Sequence, residues 1–531
     1  MKFLTRSLLI LLALYGLVFA IGDWYLARSG VSVWGALLFA VVIIAIQYLI
    51  GPWLIEMLLA ISWDDSGGQL PAQNRDFIER VCSKRRLKVP RIGVIQSGTP
   101  NAFSFGHVPS DSRVVLTTGL LDVLTPEEVN AVLAHEIGHI EHWDFAVMTI
   151  AALAPLLLYQ LYSFTRNINN VRALAYSAYI CYWVSQFIVL VLNRTREYFA
   201  DHYSAEVTHA PEELSSALLK IAYGMVREDG EYQRAMQAKS GEDKAQYRRE
   251  RRLSGALGIM GISNLHSGSA LALSGANPAE AAAVMRWDLV NPWARLYQLN
   301  STHPLTALRV HALNEQAEEM HQPVQYPMPV ERGFQWGAFL FEVLIWFAPW
   351  LGAGMLAIIR WLPEWISYAG IRLDQNVQPF LVVFIGVTWA IRIWVRYHGT
   401  PEAATIGSLI EDVEVSEMAP RAVRLKGQIL GQGVPGAFWS ADLVLRDATG
   451  ILFVLYRQSI PLARLLFALT EAEAYIGQQV EIVGWFRRGL RPYVEMSCII
   501  GEDGHKHRSY SRWVQYALAA SVMAFGWAWL A

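Results

Sequence analysis

His135-Glu136-Ile137-Gly138-His139 sets two imidazoles four residues apart with a carboxylate directly after the first. On a helix turning about 100° per residue, the two histidines fall on one face a turn apart and can reach one metal ion. Glu136 lies beside them, placed to take a proton from an attacking water without ligating the metal. A catalytic zinc ion of this kind takes a third protein ligand and keeps one position open. Arg196-Glu197-Tyr198-Phe199-Ala200-Asp201 supplies a candidate: Glu197 and Asp201 stand at i and i+4 and share a helix face. Glu197 is then the third ligand, and Asp201 a carboxylate that orients a ligand histidine. One Zn2+ per chain is expected.

These residues must be held by particular elements. Thr125-Pro126-Glu127-Glu128 reads as a capping box with proline at the first helical position, so the histidines sit on a well-started helix. That helix is expected to run through Trp143 and on into an apolar run. Upstream, 92–96, 101–106 and 114–117 read as short strands separated by turn residues. Apolar runs of membrane-spanning length, about 20 residues, recur seven times, near 7–26, 33–61, 145–162, 173–192, 334–359, 377–397 and 512–531. The first also offers Val18-Phe19-Ala20 where a signal peptide would be cut. The third and fourth runs form a hairpin, so His135 and His139 before it and Glu197 after it return to one membrane surface.

Basic residues orient the spans. Lys2 and Arg6 precede the first; Arg80, Lys84, Arg85, Arg86, Lys88 and Arg91 follow the second; Arg248, Arg249, Arg251 and Arg252 follow the fourth. By the positive-inside rule the N-terminus, 63–144, 193–333 and 398–511 are cytosolic. The hydrophobic fraction of 53% and charged fraction of 17% suit a membrane protein, and a net charge of −2 exerts no bulk pull on nucleic acid. Cys82, Cys181 and Cys498 stand alone with no CxxC pairing, so neither a disulfide framework nor a thiolate zinc site is indicated.

The same segments resemble the HtpX and CAAX-prenyl-protease family of membrane metallopeptidases, over roughly 60–320. The resemblance rests on Pro100-Asn101-Ala102-Phe103, on the His135–His139 motif followed by Asp144, on Glu197-Tyr198-Phe199-Ala200-Asp201, and on Ser301-Thr302-His303-Pro304 with Arg309 after it. It implies zincin-type proteolysis with His135, His139 and Glu197 as ligands. Asn101, Ala102 and Phe103 would form the edge strand that takes extended substrate by strand addition. It also implies that His303 faces the substrate, where it is a candidate oxyanion donor beside Glu136 as catalytic base. Asp144 and Arg309 are candidates for supporting contacts around the ligands, with Arg309 read as structural. An inactive scaffold on the same fold is the alternative; intact His135, Glu136, His139 and Glu197 argue against it.

The expected organisation is a mainly α multi-pass membrane protein with a cytosolic α+β zincin-like peptidase domain and an all-β OB-like insert near the C-terminus. Two N-terminal helices (1–62) precede a peptidase domain (63–333) that includes the hairpin 145–192. Spans five and six (334–397), the β-rich segment 398–511 and a last helix (512–531) follow. In 398–511, strands are expected at 422–430, 441–446, 452–456, 480–486 and 493–499, with a helix at 462–469 after the third. Trp485, Arg487, Arg488, Arg491 and Tyr493 would form a basic, aromatic hairpin suited to an anionic membrane surface, substrate or the peptidase itself; no nucleic-acid partner is expected. This segment is expected to recruit substrate rather than supply chemistry. Glu342 and Arg392, inside the fifth and sixth runs, are read as a mutual pair or as snorkelling charges. The expected partners are protein or peptide substrates, unfolded or membrane-associated ones in quality control among them, and the lipid of a cell (inner) membrane.

Overall fold

The computed structural model describes residues 33–59, 61–65, 68–168, 172–222, 278–328, 336–361, 377–432, 441–459, 461–489 and 492–530. The first expected span, the basic residues 248–252, most of the 253–283 stretch and Arg491 lie outside the described residues. The chain divides into two compact units, Met1–Ala272 with Leu296–Met328, and Leu273–Arg295 with Pro329–Ala531.

The first unit runs α1 (Val33–Leu58), β1 (Ile61–Trp63), α2 (Ala72–Arg85), β2 (Arg91–Ile95), β3 (Ala102–Gly106), β4 (Ser112–Thr117), α3 (Thr118–Val123), α4 (Pro126–Glu141), α5 (Asp144–Thr165) and α6 (Arg172–Thr208). The chain then contributes α7 (Pro278–Val290) to the second unit. A short helix, α8 (Pro292–Gln298), carries it back to the first unit for α9 (Thr306–Glu319). The expected peptidase domain 63–333 thus encloses a segment, 278–295, that packs with the other unit.

The small sheet has the order β1-β2-β4-β3, with β2 and β4 parallel and the outer pairs antiparallel. Strands β2, β3 and β4 match the expected ones to within two residues at either end, whereas β1 was hidden at the end of an apolar run. β3 is an edge strand. Its Phe103 and Phe105 pack with Leu59, Ile95 and Val115, while Ala102 joins a larger core with Val132, Leu133 and Leu218.

One expectation is corrected at the end of α4. The helix does not continue into the third span: it stops at Glu141, and Trp143 takes the left-handed conformation (φ 58°) before α5 restarts at Asp144. A side chain at positive φ is costly for a bulky residue, and here it turns the chain sharply. Asp144 is thereby brought back towards α4.

The second unit contains α10 (Trp336–Trp361), α11 (Val377–Arg396), β5 (Glu402–Ala403), α12 (Ile406–Ile410), β6 (Arg421–Gln432), β7 (Leu443–Arg446), β8 (Ile451–Leu455), α13 (Pro461–Thr470), β9 (Gln479–Arg487), β10 (Tyr493–Ile500), β11 (Lys506–Arg508) and α14 (Ser511–Leu530). β6, β7, β8, β10 and β9 close on themselves as a five-strand barrel, because β9 pairs with both β10 and β6. β8 and β10 are parallel and the other neighbours antiparallel. The β7–β8 hairpin turns at Asp447, whose carboxylate accepts from the backbone of Thr449 and Gly450.

Five described helical segments are long and apolar enough to cross a membrane: Leu37–Leu58, Asp144–Thr165, Arg172–Thr208, Trp336–Ile359 and Val377–Arg396. Trp53, Ile180, Trp350 and Phe380 on them point outward and are exposed, which suits lipid rather than water. The seventh expected span is a helix of the right length, α14, but it is not among the five. Gln515, Tyr516 and three tryptophans dilute its apolar character.

The candidate metal centre

The site is assembled where α4 crosses α6. Thr125 and Glu128 cap α4 reciprocally, the hydroxyl accepting from Glu128 N–H and the carboxylate from Thr125 N–H, with Pro126 at the first helical position. Gly138, between the two histidines, lets the helices touch. A Cβ there would lie 3.1 Å from the Tyr203 ring and 3.3 Å from the Ala200 backbone, pushing apart the two ligand-bearing helices. Ser204 Oγ donates to the Ala131 carbonyl at 2.7 Å across the same crossing.

His135, His139 and Glu197 are brought together and buried. The two Nε2 atoms are 3.1 Å apart, and the Glu197 oxygens lie 3.8 Å from His135 Nε2 and 3.7 Å from His139 Nε2. A tetrahedral ion with bonds of about 2.0–2.1 Å needs donor spacings of about 3.3 Å, so this donor triangle fits a zinc-sized ion. Its set of two imidazoles and one carboxylate is that of catalytic zinc sites with an open position.

Each imidazole is held from behind. Asp144 Oδ2 lies 2.6 Å from His139 Nδ1, and Arg196 Nε lies 2.8 Å from the other oxygen of that carboxylate. Asp201 Oδ1 lies 3.0 Å from His135 Nδ1. These contacts leave both Nε2 atoms available to ligate a metal ion. Burial acts to lower the His139 pKa, but the Asp144 hydrogen bond and the Glu197 and Glu136 charges outweigh it and hold it above the usual imidazole value. Glu136 is 3% exposed, on the helix face beside the ligands.

Arg309 reaches two of the buried carboxylates. Fully buried, it donates from Nε and Nη2 to both oxygens of Asp201 at 2.8 and 2.6 Å, and its Nη1 lies 3.5 Å from Glu197. Burial alone would lower its pKa; the Asp201 carboxylate more than offsets that and raises it. His303 Nδ1 lies 3.2 Å from Glu197 Oε2. Two residues that sequence reasoning passed over pin the His303 loop. Arg194 donates to the carbonyls of Gln298 and Ser301 at 2.7 and 2.9 Å, and Asn193 to that of Thr302 at 2.6 Å. Their signal was the switch from apolar to polar residues at 193–196, just before Glu197.

Asn101, Ala102 and Phe103 lie at or just before the start of edge strand β3, buried, with Asn101 N–H donating to Thr117 Oγ1 at 2.8 Å. The other end of β3, Phe105 and Gly106, borders a cleft of about 340 Å³ whose walls include Tyr48 and Ile55 of α1 and Phe145 and Met148 of α5.

The basic hairpin does not stand as expected. Arg487 and Arg488 are 0% and 1% exposed, and Trp485 and Tyr493 are buried too. Arg487 donates to Glu495 at 3.0 Å and to the carbonyls of Glu417 and Arg396; Arg488 donates to those of Ile410 and, at 2.6 Å, Val284. Burial pushes the Arg488 guanidinium down to about 10. These arginines therefore form no surface for lipid or nucleic acid. Glu342 and Arg392 do not pair either. Glu342 accepts from Trp293 Nε1 at 2.6 Å and Ser416 Oγ at 2.5 Å, and Arg392 lies over the Trp346 ring at 4.8 Å.

Comparison with known proteins gives the geometry a context. The sequence model of Peptidase family M48 matches residues 71–317. A "Protease HtpX homolog" of Methanothermobacter thermautotrophicus is 34% identical over 226 residues, 41% of this chain and 86% of the relative. One of Moorella thermoacetica is 32% identical over 238 residues, 42% of this chain and 77% of the relative. The crystal structure of S. mikatae Ste24p aligns with a TM-score of 0.36 at 17% identity, over 59% of this chain and 65% of that one. The matched stretch holds both histidines, Glu197, His303 and Arg309, and the barrel lies beyond it. This chain therefore belongs to peptidase family M48, as an HtpX-like membrane-embedded metalloprotease.

Proposed function

We propose that this protein is a zinc-dependent endopeptidase that hydrolyses peptide bonds of membrane-associated or unfolded proteins at the cytosolic side of a cell membrane, in membrane protein quality control. The observation that carries the reading is the buried donor triangle of His135, His139 and Glu197, with each imidazole held by its own carboxylate. A zinc ion held there would polarise the scissile carbonyl and acidify the attacking water. Glu136 takes that water's proton and returns it to the leaving amine. His303, its Nδ1 turned to Glu197, is placed to donate from the other nitrogen to the oxyanion. Edge strand β3 offers main-chain pairing to an extended substrate, which selects for unfolded backbone rather than for sequence. The cleft between α1 and α5 reaches the end of that strand and is walled mainly by apolar side chains, which favours substrates with apolar, membrane-associated segments.

Cytosolic placement rests on the basic residues of 80–91 after α1 and on the charge-poor connections on the other side. We infer, too, that the barrel is of OB type. Its strand order β6-β7-β8-β10-β9, the parallel β8–β10 pair and α13 between the third and fourth strands support this. The peptidase domain is 63–333 without the 278–295 excursion. The deciding experiment replaces Glu136 with Gln. The variant should keep its zinc and its fold and lose all cleavage of casein. Cleavage at the wild-type rate would remove Glu136 from the mechanism.

A further inference from the structure

Helix α13 carries an apolar stripe that the barrel leaves uncovered. Leu462, Leu465, Leu466 and Leu469, at i, i+3, i+4 and i+7, are 62%, 41%, 52% and 51% exposed. The opposite side is firmly seated. Phe467 is buried against the rings of Tyr456 and His507, at 4.2 and 4.5 Å, and Arg464 donates to Asp442 at 2.7 Å. The leucines are therefore a fixed surface and not a frayed end.

What covers them follows from where the helix begins. Ser459, two residues before α13, lies 3.3 Å from both the hydroxyl and the carbonyl of Ser511, and Ser509 Oγ donates to the Arg457 carbonyl at 2.8 Å. Ser511 is the first residue of α14, so α13 starts at the point where α14 leaves the barrel. α14 runs antiparallel along the membrane-spanning α11 at close range. A Cβ on Gly386 would meet Ala519 and Met523, and one on Gly526 would meet Pro379 and Val383. The first turn of α14 has the residues of a membrane interface: Tyr510 and Trp513 are 61% and 62% exposed, and Arg512 lies over the Trp513 ring at 4.9 Å. α13, which carries the leucine stripe, begins beside that turn.

We propose that α13 lies in the bilayer interface, its four leucines among the lipid acyl chains, and seats the barrel on the membrane. The helix has the composition for this role, with one basic residue and a leucine face, so binding rests on apolar burial rather than on anionic headgroups. Lipid contact thus belongs to α13 and not to the buried arginines of β9. Leu466→Cys, in a full-length chain with Cys181 and Cys498 replaced by Ser, tests it. The new thiol carries an environment-sensitive fluorophore, and the protein is reconstituted in neutral phosphatidylcholine vesicles. The same label at exposed Arg446 is the control. The expected result is blue-shifted emission and several-fold quenching by lipids bearing a shallow nitroxide, at Leu466→Cys and not at Arg446→Cys, unchanged by high salt. Emission as in water, with no lipid quenching, overturns the proposal. So does a blue shift that appears only when casein is added, which makes the stripe a protein-binding face.

Discussion

Arg309 decides between two accounts of the metal centre. Its guanidinium is 1% exposed and is the counter-charge to two buried carboxylates, Asp201 through two hydrogen bonds and Glu197 at 3.5 Å. Asp201 in turn lies 3.0 Å from His135 Nδ1, so the arginine acts on the ligand through one intermediary. Arg309→Met strands both carboxylates. Breaking a buried pair from one side costs about 3–5 kcal/mol, out of a total stability of ~5–15 kcal/mol, so a large fall in Tm is expected. Arg309→Lys keeps the charge and loses the fork. It should forfeit one charged hydrogen bond, about 1.5–3 kcal/mol, and leave the protein folded. Its zinc dissociation constant should nevertheless rise roughly 10–100-fold, because His135 is no longer held in one orientation. Purified protein titrated with zinc against a chromophoric chelator, alongside thermal unfolding with and without zinc, separates the two effects. A lysine variant with wild-type zinc affinity would reduce Arg309 to a fold-stabilising residue, and a methionine variant with unchanged Tm would refute the buried network altogether.

Glu197→Ala removes one of three ligands and should lower zinc occupancy after dialysis; full occupancy by metal analysis would place the third ligand elsewhere. Cysteines introduced at Lys84 and Arg446 should react with an impermeant reagent only after the membrane is opened, and one at Gln375 should react from outside; surface labelling at Lys84 inverts the topology. Excising 402–508 strips Trp287, Asn291 and the Val284 carbonyl of their partners at Val415, Val413 and Arg488. The segment leading into the His303 loop then loses its anchor. Cleavage of even a short peptide should fall while zinc is retained, and an unchanged kcat would show that the barrel serves recruitment alone.

The sequence carried the chemistry because that chemistry depends on local spacing. His135, Glu136 and His139 need only one helix, and the capping box that starts it is four residues long. The barrel strands were legible for a similar reason, since period-two alternation is local. What was not legible was long-range pairing. Arg487 and Arg488 looked like a basic surface because nothing near them in sequence announces that Val284 and Ile410 supply carbonyls to the second. The contact of Arg309 with Asp201 had no local signal either, because the two stand 108 positions apart. The break at Trp143 had no signal at all: tryptophan is a poor residue for positive φ, and the contacts that go with the turn, to His139 and Arg196, are made by its neighbour Asp144. β1 was too short to show its own periodicity.

The excursion of 278–295 also sets an order of assembly. Trp287 is covered by a carbonyl 128 residues further on, and Val284 by a guanidinium 204 residues further on. At the ~5–20 residues per second of synthesis, about 10–40 seconds separate the emergence of Val284 from that of Arg488. During that interval the Val284 carbonyl lacks its native donor, although Trp287 finds its own partner earlier. The α7 segment therefore reaches its full set of native partners only after β9 of the barrel has been made, although it stands well before the barrel in the chain.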